Sequence, residues 1–288
     1  INIGVIMGQN ELAVMDELDS IVQAFNTNDE AALMKASGQS SQPKQTGLPR
    51  LNINYDTETD DGTSLTRGHW RITIDGQALY APSVILRPIL RMYEYSRWDA
   101  ENNTFASKSV QKVALGGSFL DTEGGSKCGR LSRDEEERAS EEEQMISRAA
   151  VCNQVIYGQI SGTFKTAEGD EVQIDRRPMV AYFKKSGFMP ISNFIEGLSK
   201  QTKIMQRCEI VLNTSKQKKG SVTYWVPSPT LGDSADITDE DKALMKMFAE
   251  TVSAHNNYVA DKSKESMKMV MGDSDVDLAD DFADANVA

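Results

Sequence analysis

Between Val84 and Trp98 the chain reads VILRPILRMYEYSRW. Arg87, Arg91, Tyr93, Tyr95 and Arg97 fall on odd positions with Ile85 and Ile89, while Leu86, Leu90 and Met92 fall on even ones. Alternate residues of an extended strand share a face. One face is therefore expected to be apolar and fit for a core, and the other to show Arg–Arg–Tyr–Tyr–Arg. Guanidinium groups pair with phosphate oxygens and phenol rings stack on bases, so such a face suits a single-stranded nucleic acid. An ordinary half-exposed strand uses the same residue types. Pro88 has no N–H and signals a β-bulge, beyond which the register shifts.

A second stretch carries related chemistry. Arg176 to Trp225 holds ten Lys or Arg against two Glu, a local charge of +8 in a chain whose net charge is −12. DRRPMVAYFKKSGF supplies Arg176, Arg177, Tyr182, Lys184 and Lys185, and TSKQKKGSVTYW supplies Lys216, Lys218, Lys219, Tyr224 and Trp225. Cations interleaved with aromatics, in strands and hairpin tips, suit a groove that follows a phosphate backbone and stacks bases. Taken singly, KQKK is a solvated loop. The acids are equally concentrated. Residues 134–143 hold seven acids and one Arg, and residues 272–288 hold six Asp, no Lys or Arg, and Phe282 as the lone aromatic. A segment so acidic and so poor in apolar bulk cannot offset the entropy cost of folding, so a flexible tail is expected.

Other chemistries fit less well. ALGGSF and EGGSK match neither a P-loop nor the dinucleotide fingerprint. DTETDD, residues 56–61, reads as a polar hairpin tip rather than a divalent-ion site. Cys128 in SKCGR has basic neighbours, but neither His is near it in sequence. Three scattered Cys, two His and no Cys-x-x-Cys pair argue for a reducing compartment and against a disulfide framework or structural zinc. No enzyme activity and no cofactor are expected. No apolar run reaches the ~18 residues of a membrane span. The start lacks a basic n-region and a long h-region, so no signal peptide is expected, and Met7 is a candidate initiator. These features point to a cytoplasmic protein.

The elements that must position these residues follow from periodicity. Residues 1–36 read as a helical arm, with Leu12, Met15, Leu18, Ile21, Val22 and Phe25 at helical spacing, and 37–47 as a polar linker. Residues 48–235 read as short strands. LPRLNINYD alternates, turns fall at 60–62 and 75–76, EGDEVQI and MVAYFKK are two strands, and CEIVLNTSKQKKGSVTYWVP is a hairpin with a basic turn. PISNFIEGLSKQ reads as a short helix opening near Ser192. The acidic insertion, 121–148, has two capping-box matches, Ser132…Glu135 and Ser140…Glu143. Residues 236–268 form a helix opened by Thr238…Asp241. One of its faces carries Leu244, Phe248, Val252, His255 and Val259, with His255 read as a packed residue. Residues 269–288 are the tail. The fold class is mainly β with appended helices.

Basic and aromatic strands, a late helix and an acidic tail bearing one aromatic form a layout that resembles the replication single-stranded DNA-binding proteins of tailed phages. The resemblance implies an OB-like Greek-key barrel with insertions and a disordered acidic C-terminal tail, acting in DNA replication or recombination in the host cytoplasm. On the reading of the two basic and aromatic stretches, Arg87, Arg91, Arg97, Arg176, Arg177, Lys184, Lys185, Lys216, Lys218 and Lys219 are expected to meet phosphates and Tyr93, Tyr95, Tyr182, Tyr224 and Trp225 to stack. Asp275, Asp277, Asp280, Asp281, Phe282 and Asp284 would recruit a polymerase and a helicase–primase. The tail would also compete with DNA, since a tethered polyanion has a high effective concentration at a cationic groove. Family tails end at or near an aromatic, whereas Phe282 is followed by ADANVA. Two other classes stay open: a structural or assembly protein that binds no nucleic acid, and an RNA-binding regulator. Oligomeric state is also open.

Overall fold

The computed structural model describes residues 47–124, 129 and 131–271. The helical arm at 1–36, most of the linker, Cys128 and the tail residues from Asp275 to Asp284 lie outside the described residues.

In chain order the elements are β1 (Arg50–Ile53), β2 (Trp70–Ile74), β3 (Gln77–Ala81), β4 (Val84–Asp99), β5 (Thr104–Lys108), α1 (Arg133–Glu136), α2 (Glu141–Ala149), β6 (Val151–Lys165), β7 (Glu171–Lys184), α3 (Phe188–Lys200), β8 (Cys208–Lys219), β9 (Val222–Ser234) and α4 (Asp239–Met271). The protein is mainly β with a few helices, as its alternating strands led one to expect. No helix among the described residues is long and apolar enough to cross a membrane.

The strands form one sheet, ordered β3-β2-β1-β7-β6-β4-β8-β9, with β5 hydrogen-bonded to β4. A bridge between Tyr80 and Lys165 also joins β3 to β6, so that β1, β2, β3, β6 and β7 form a closed circuit. All pairings are antiparallel except β1 with β7. The β2–β3 turn falls at Asp75–Gly76, both with positive φ, where the Asp-Gly dipeptide placed it. EVQI of the first stretch and MVAYFK of the second belong to one continuous strand rather than two, because a bulge absorbs the irregular residues between them: the pairing of β6 with β7 slips between Ile160 and Gly162, opposite Asp175 and Arg176.

Two apolar clusters hold the sheet. Leu51, Trp70, Ile72, Leu86, Ile156, Ile160, Phe164, Met179 and Phe183 fill one, and α3 adds Ile191 and Ile195. The other joins Ile89, Met92, Val155, Tyr157 and Val180 to Phe248 and Val252 of α4. Leu244, Phe248, Val252 and Val259 thus form the buried stripe of α4 that their spacing implied, and His255 is packed, its Nε2 3.0 Å from the Ser109 carbonyl. Thr238 and Asp241 cap this helix, the Thr238 N–H donating to Asp241 Oδ2 at 2.7 Å. Both capping boxes of the acidic insertion form as well. α3 starts earlier than expected, at Phe188, and Ser192 lies inside it, where its hydroxyl accepts from Arg91 and donates to Glu196. Pro190 suits the first turn, whose N–H groups need no helical partner.

Candidate nucleic-acid interface

β4 does not present the expected solvent face. It is a central strand, flanked by β6, β8 and β5, and from Leu86 to Arg97 both of its faces are largely covered. The cause is the bulge that Pro88 signalled. Pro88 pairs with Gly158 and Leu90 with Tyr157, which leaves Ile89 as the extra residue and reverses the alternation beyond it. The close approach requires glycine at position 158, where a Cβ would sit 2.3 Å from the Arg87 carbonyl oxygen. Arg87 before the bulge, Ile89 at it, and Met92 and Glu94 after it consequently meet α4. Arg91 and Tyr93 meet α3 instead.

The predicted residues of β4 are occupied internally. Arg87 is 4% exposed and donates to Asp241 at 2.8 Å and to the Asp236 carbonyl at 2.6 Å. Arg91 donates to Ser192 and Gln154, and its guanidinium lies 4.9 Å from the Tyr93 ring. Tyr93 is buried beside Phe188, and burial raises its hydroxyl above the usual range. Tyr95 meets Phe119 edge-to-face at 5.0 Å, and Arg97 pairs with Glu123. Beyond this strand, Arg176 and Arg177 are exposed midway along β7, at its bulge. There Arg177 shares a concavity with Asp75 and Asp175, so the local charge is mixed.

The rest of the basic block is arranged differently. The β8–β9 hairpin forms as expected, and beyond Leu212 it has no β4 partner and runs on past the start of that strand. Lys216 pairs with Trp225 and Lys218 with Thr223, which puts both lysines on the Trp225 face. Lys219 and Tyr224 take the opposite face. The Lys216 ammonium lies 5.9 Å from the Trp225 ring, and Tyr55 meets that ring edge-to-face at 6.0 Å. The Tyr55 hydroxyl donates to the Trp225 carbonyl, tying β1's continuation to the hairpin. Beneath the indole lies Gly68, with φ +85, where a Cβ would come within 2.3 Å of the ring.

A shallow concavity of about 380 Å³ leads from Tyr55 past Arg71, Asn52 and Thr73 to Arg50. The Arg50 guanidinium stacks 4.2 Å from the Tyr182 ring, and Lys184 follows two residues on, on the same face of β7. Arg50, Lys184, Lys185, Lys216 and Lys218 make no ion pair among the described residues; Arg71 is paired with Asp56 on an exposed rim. Burial first, and then the charges of Arg50 and Lys185, hold the Lys184 ammonium below its usual range. Cations are crowded here, a condition that a bound anion relieves. Lys185 also lies near the hairpin, since Gly187 packs against Pro227.

The fold therefore links Tyr182, Lys184, Lys216, Lys218 and Trp225 along one surface and separates them from the residues of β4. Sequence reasoning missed Arg50, Tyr55, Arg71 and Gly68. The signal for Arg50 was present in LPRLNINYD, whose alternation puts Arg50 and Asn52 on the face opposite Leu51; the same alternation puts Tyr55 on the Leu51 face. Arg71 and Gly68 carried no comparable signal. Among the described residues no cluster of His, Cys, Asp and Glu has the geometry to hold a metal ion. Compared with protein-family models, with curated proteins and with solved structures, the chain matches none.

Proposed function

We propose that this protein binds single-stranded DNA with little regard to base sequence, in replication or recombination, and has no catalytic role. One observation carries the reading: Lys184 and Arg50 at one end of the concavity and Lys216 at the other have no ion-pair partner among the described residues, and the exposed Tyr55 and part-exposed Trp225 rings stand between them. Cations at that spacing meet a phosphate backbone, and rings between them stack on bases of any identity.

The OB-like barrel belongs to the same proposal. Supporting it are the five-strand circuit closed by Tyr80 and Lys165, its single parallel pair, and α3, whose Ile191 and Ile195 enter the apolar interior. The acidic residues Asp275 to Asp284, with Phe282, are proposed to meet replication proteins and to compete with DNA for the cationic path.

A gel-shift series at several salt concentrations, with oligo-dT, oligo-rU and duplex DNA, tests the function. Salt-sensitive binding to oligo-dT above the other two is expected. Preference for oligo-rU would make the protein an RNA binder, and no binding at low salt would leave the assembly-protein reading.

A further inference from the structure

The β4–β5 hairpin extends past the end of β6, whose last pairing with β4 is Ser96 with Val151. Trp98 and Phe105 face each other on it, edge-to-face at 4.9 Å, and are 50% and 40% exposed. The Lys108 ammonium lies 4.1 Å from the Phe105 ring and has no carboxylate partner among the described residues. Asp99 is committed to the turn, accepting from the backbone of Glu101 and Asn102 and from the Asn102 side chain. A cross-strand aromatic pair steadies a two-stranded hairpin, but that role needs only the surfaces the two rings share. Their outer surfaces are open, beside an unpaired cation.

The same unit, two rings edge-to-face with a lysine over one of them, occurs at Tyr55, Trp225 and Lys216. The two units lie at opposite ends of the sheet. β8 runs antiparallel to β4, with Val84 opposite Leu212, so Lys216 continues away from Val84 while Trp98 lies at the other end of β4. Measured along the strands at about 3.3 Å per residue, they are separated by roughly 60 Å.

Resting on the reading above, the geometry points to the Trp98–Phe105–Lys108 tip as a second, separate stacking site for single-stranded nucleic acid. A short oligomer fills one site, and a long one engages both and gains from their linkage.

The chain has three tryptophans, and the third, Trp70, is 1% exposed with its Nε1–H donated to the Leu212 carbonyl. Trp70 is therefore a silent internal reference. Stacking quenches indole emission, so the full chain carrying Trp225→Phe or Trp98→Phe reports each site alone, and Phe keeps both aromatic pairs intact. Titration with oligo-dT of about 30 nucleotides, enough to cover more than one platform, is expected to quench both variants. The Trp98→Phe,Trp225→Phe double variant should show no quenching, with its binding read separately by fluorescence anisotropy of a labelled oligomer. Quenching of Trp98→Phe without quenching of Trp225→Phe overturns the second site and leaves the proposed function standing. No quenching in either variant, with no anisotropy change, overturns the proposed function and this site with it.

Discussion

The Arg87 guanidinium donates to the Asp241 carboxylate at 2.8 Å, with both side chains 4% exposed. This pair joins the early part of β4 to the first turn of α4, and Thr238 completes it by donating its N–H and hydroxyl to the same Asp241 oxygen. An arginine that looked fit for phosphate is thus a bolt between sheet and helix. Asp241→Ala should cost about 3–5 kcal/mol, because it leaves the guanidinium buried without a partner. Urea denaturation measures this. The folded variant should keep its affinity for oligo-dT, and a large selective loss of binding would return Arg87 to the interface.

The same pair sets an acid limit. Burial pushes the Asp241 carboxyl up, but the hydrogen bonds from Thr238 and the charge of Arg87 outweigh it and hold the group below its ordinary value of 3.8. A depressed folded pKa contributes stability that is present above the unfolded value and is lost as pH falls through the folded one. Wild-type stability should therefore drop on acidification below about pH 4. Asp241→Asn should be less stable at pH 7 and show a shallower fall over that acid range, which parallel denaturant titrations would reveal.

Tyr93→Ala removes a ring buried beside Phe188 and Arg91. The expected cost is about 3 kcal/mol of stability, the usual range for truncating a large buried aromatic. A clean loss of affinity with an unchanged denaturation midpoint would contradict this placement.

Trp225→Ala should weaken oligo-dT binding by about 1–3 kcal/mol, the loss of one stacked base. Gly68→Ala tests the same ring from below, since the added Cβ would occupy the space of the indole at a position with φ +85. Its affinity should fall in the same direction as that of Trp225→Ala. If Gly68→Ala binds like wild type while Trp225→Ala does not, the ring is not held in this pose when DNA is bound.

Register divides the three hairpin lysines. Lys216 and Lys218 share the Trp225 face, and Lys219 does not. Each phosphate contact on a single strand contributes about 0.7 to the slope of log affinity against log salt. Lys216→Gln with Lys218→Gln should flatten the slope by about 1.4, and Lys219→Gln should change it by well under 0.7. Equal effects from all three would mean that the strand wraps the hairpin tip.

Much of the local structure was legible in the residues themselves. The Asp75–Gly76 turn, the two capping boxes, the Thr238–Asp241 helix start, the apolar stripe of α4 and the basic hairpin all depend on groups a few residues apart, and short-range sterics and hydrogen bonding decide them. The charge segregation is equally a property of composition. Even the bulge at Pro88 was visible, because a missing N–H is a covalent fact. Tertiary structure alone decided which side of each strand reaches solvent. Period-two alternation says that Arg91 and Tyr93 share a face, but burial depends on whether α3 and α4, a hundred or more residues downstream, pack over it. Those helices converted the arginine–tyrosine ladder of β4 into internal structure. Pairing across the sheet and hairpin meanwhile brought Arg50 over Tyr182 and Tyr55 against Trp225, four residues from three separate stretches, beside one shallow concavity.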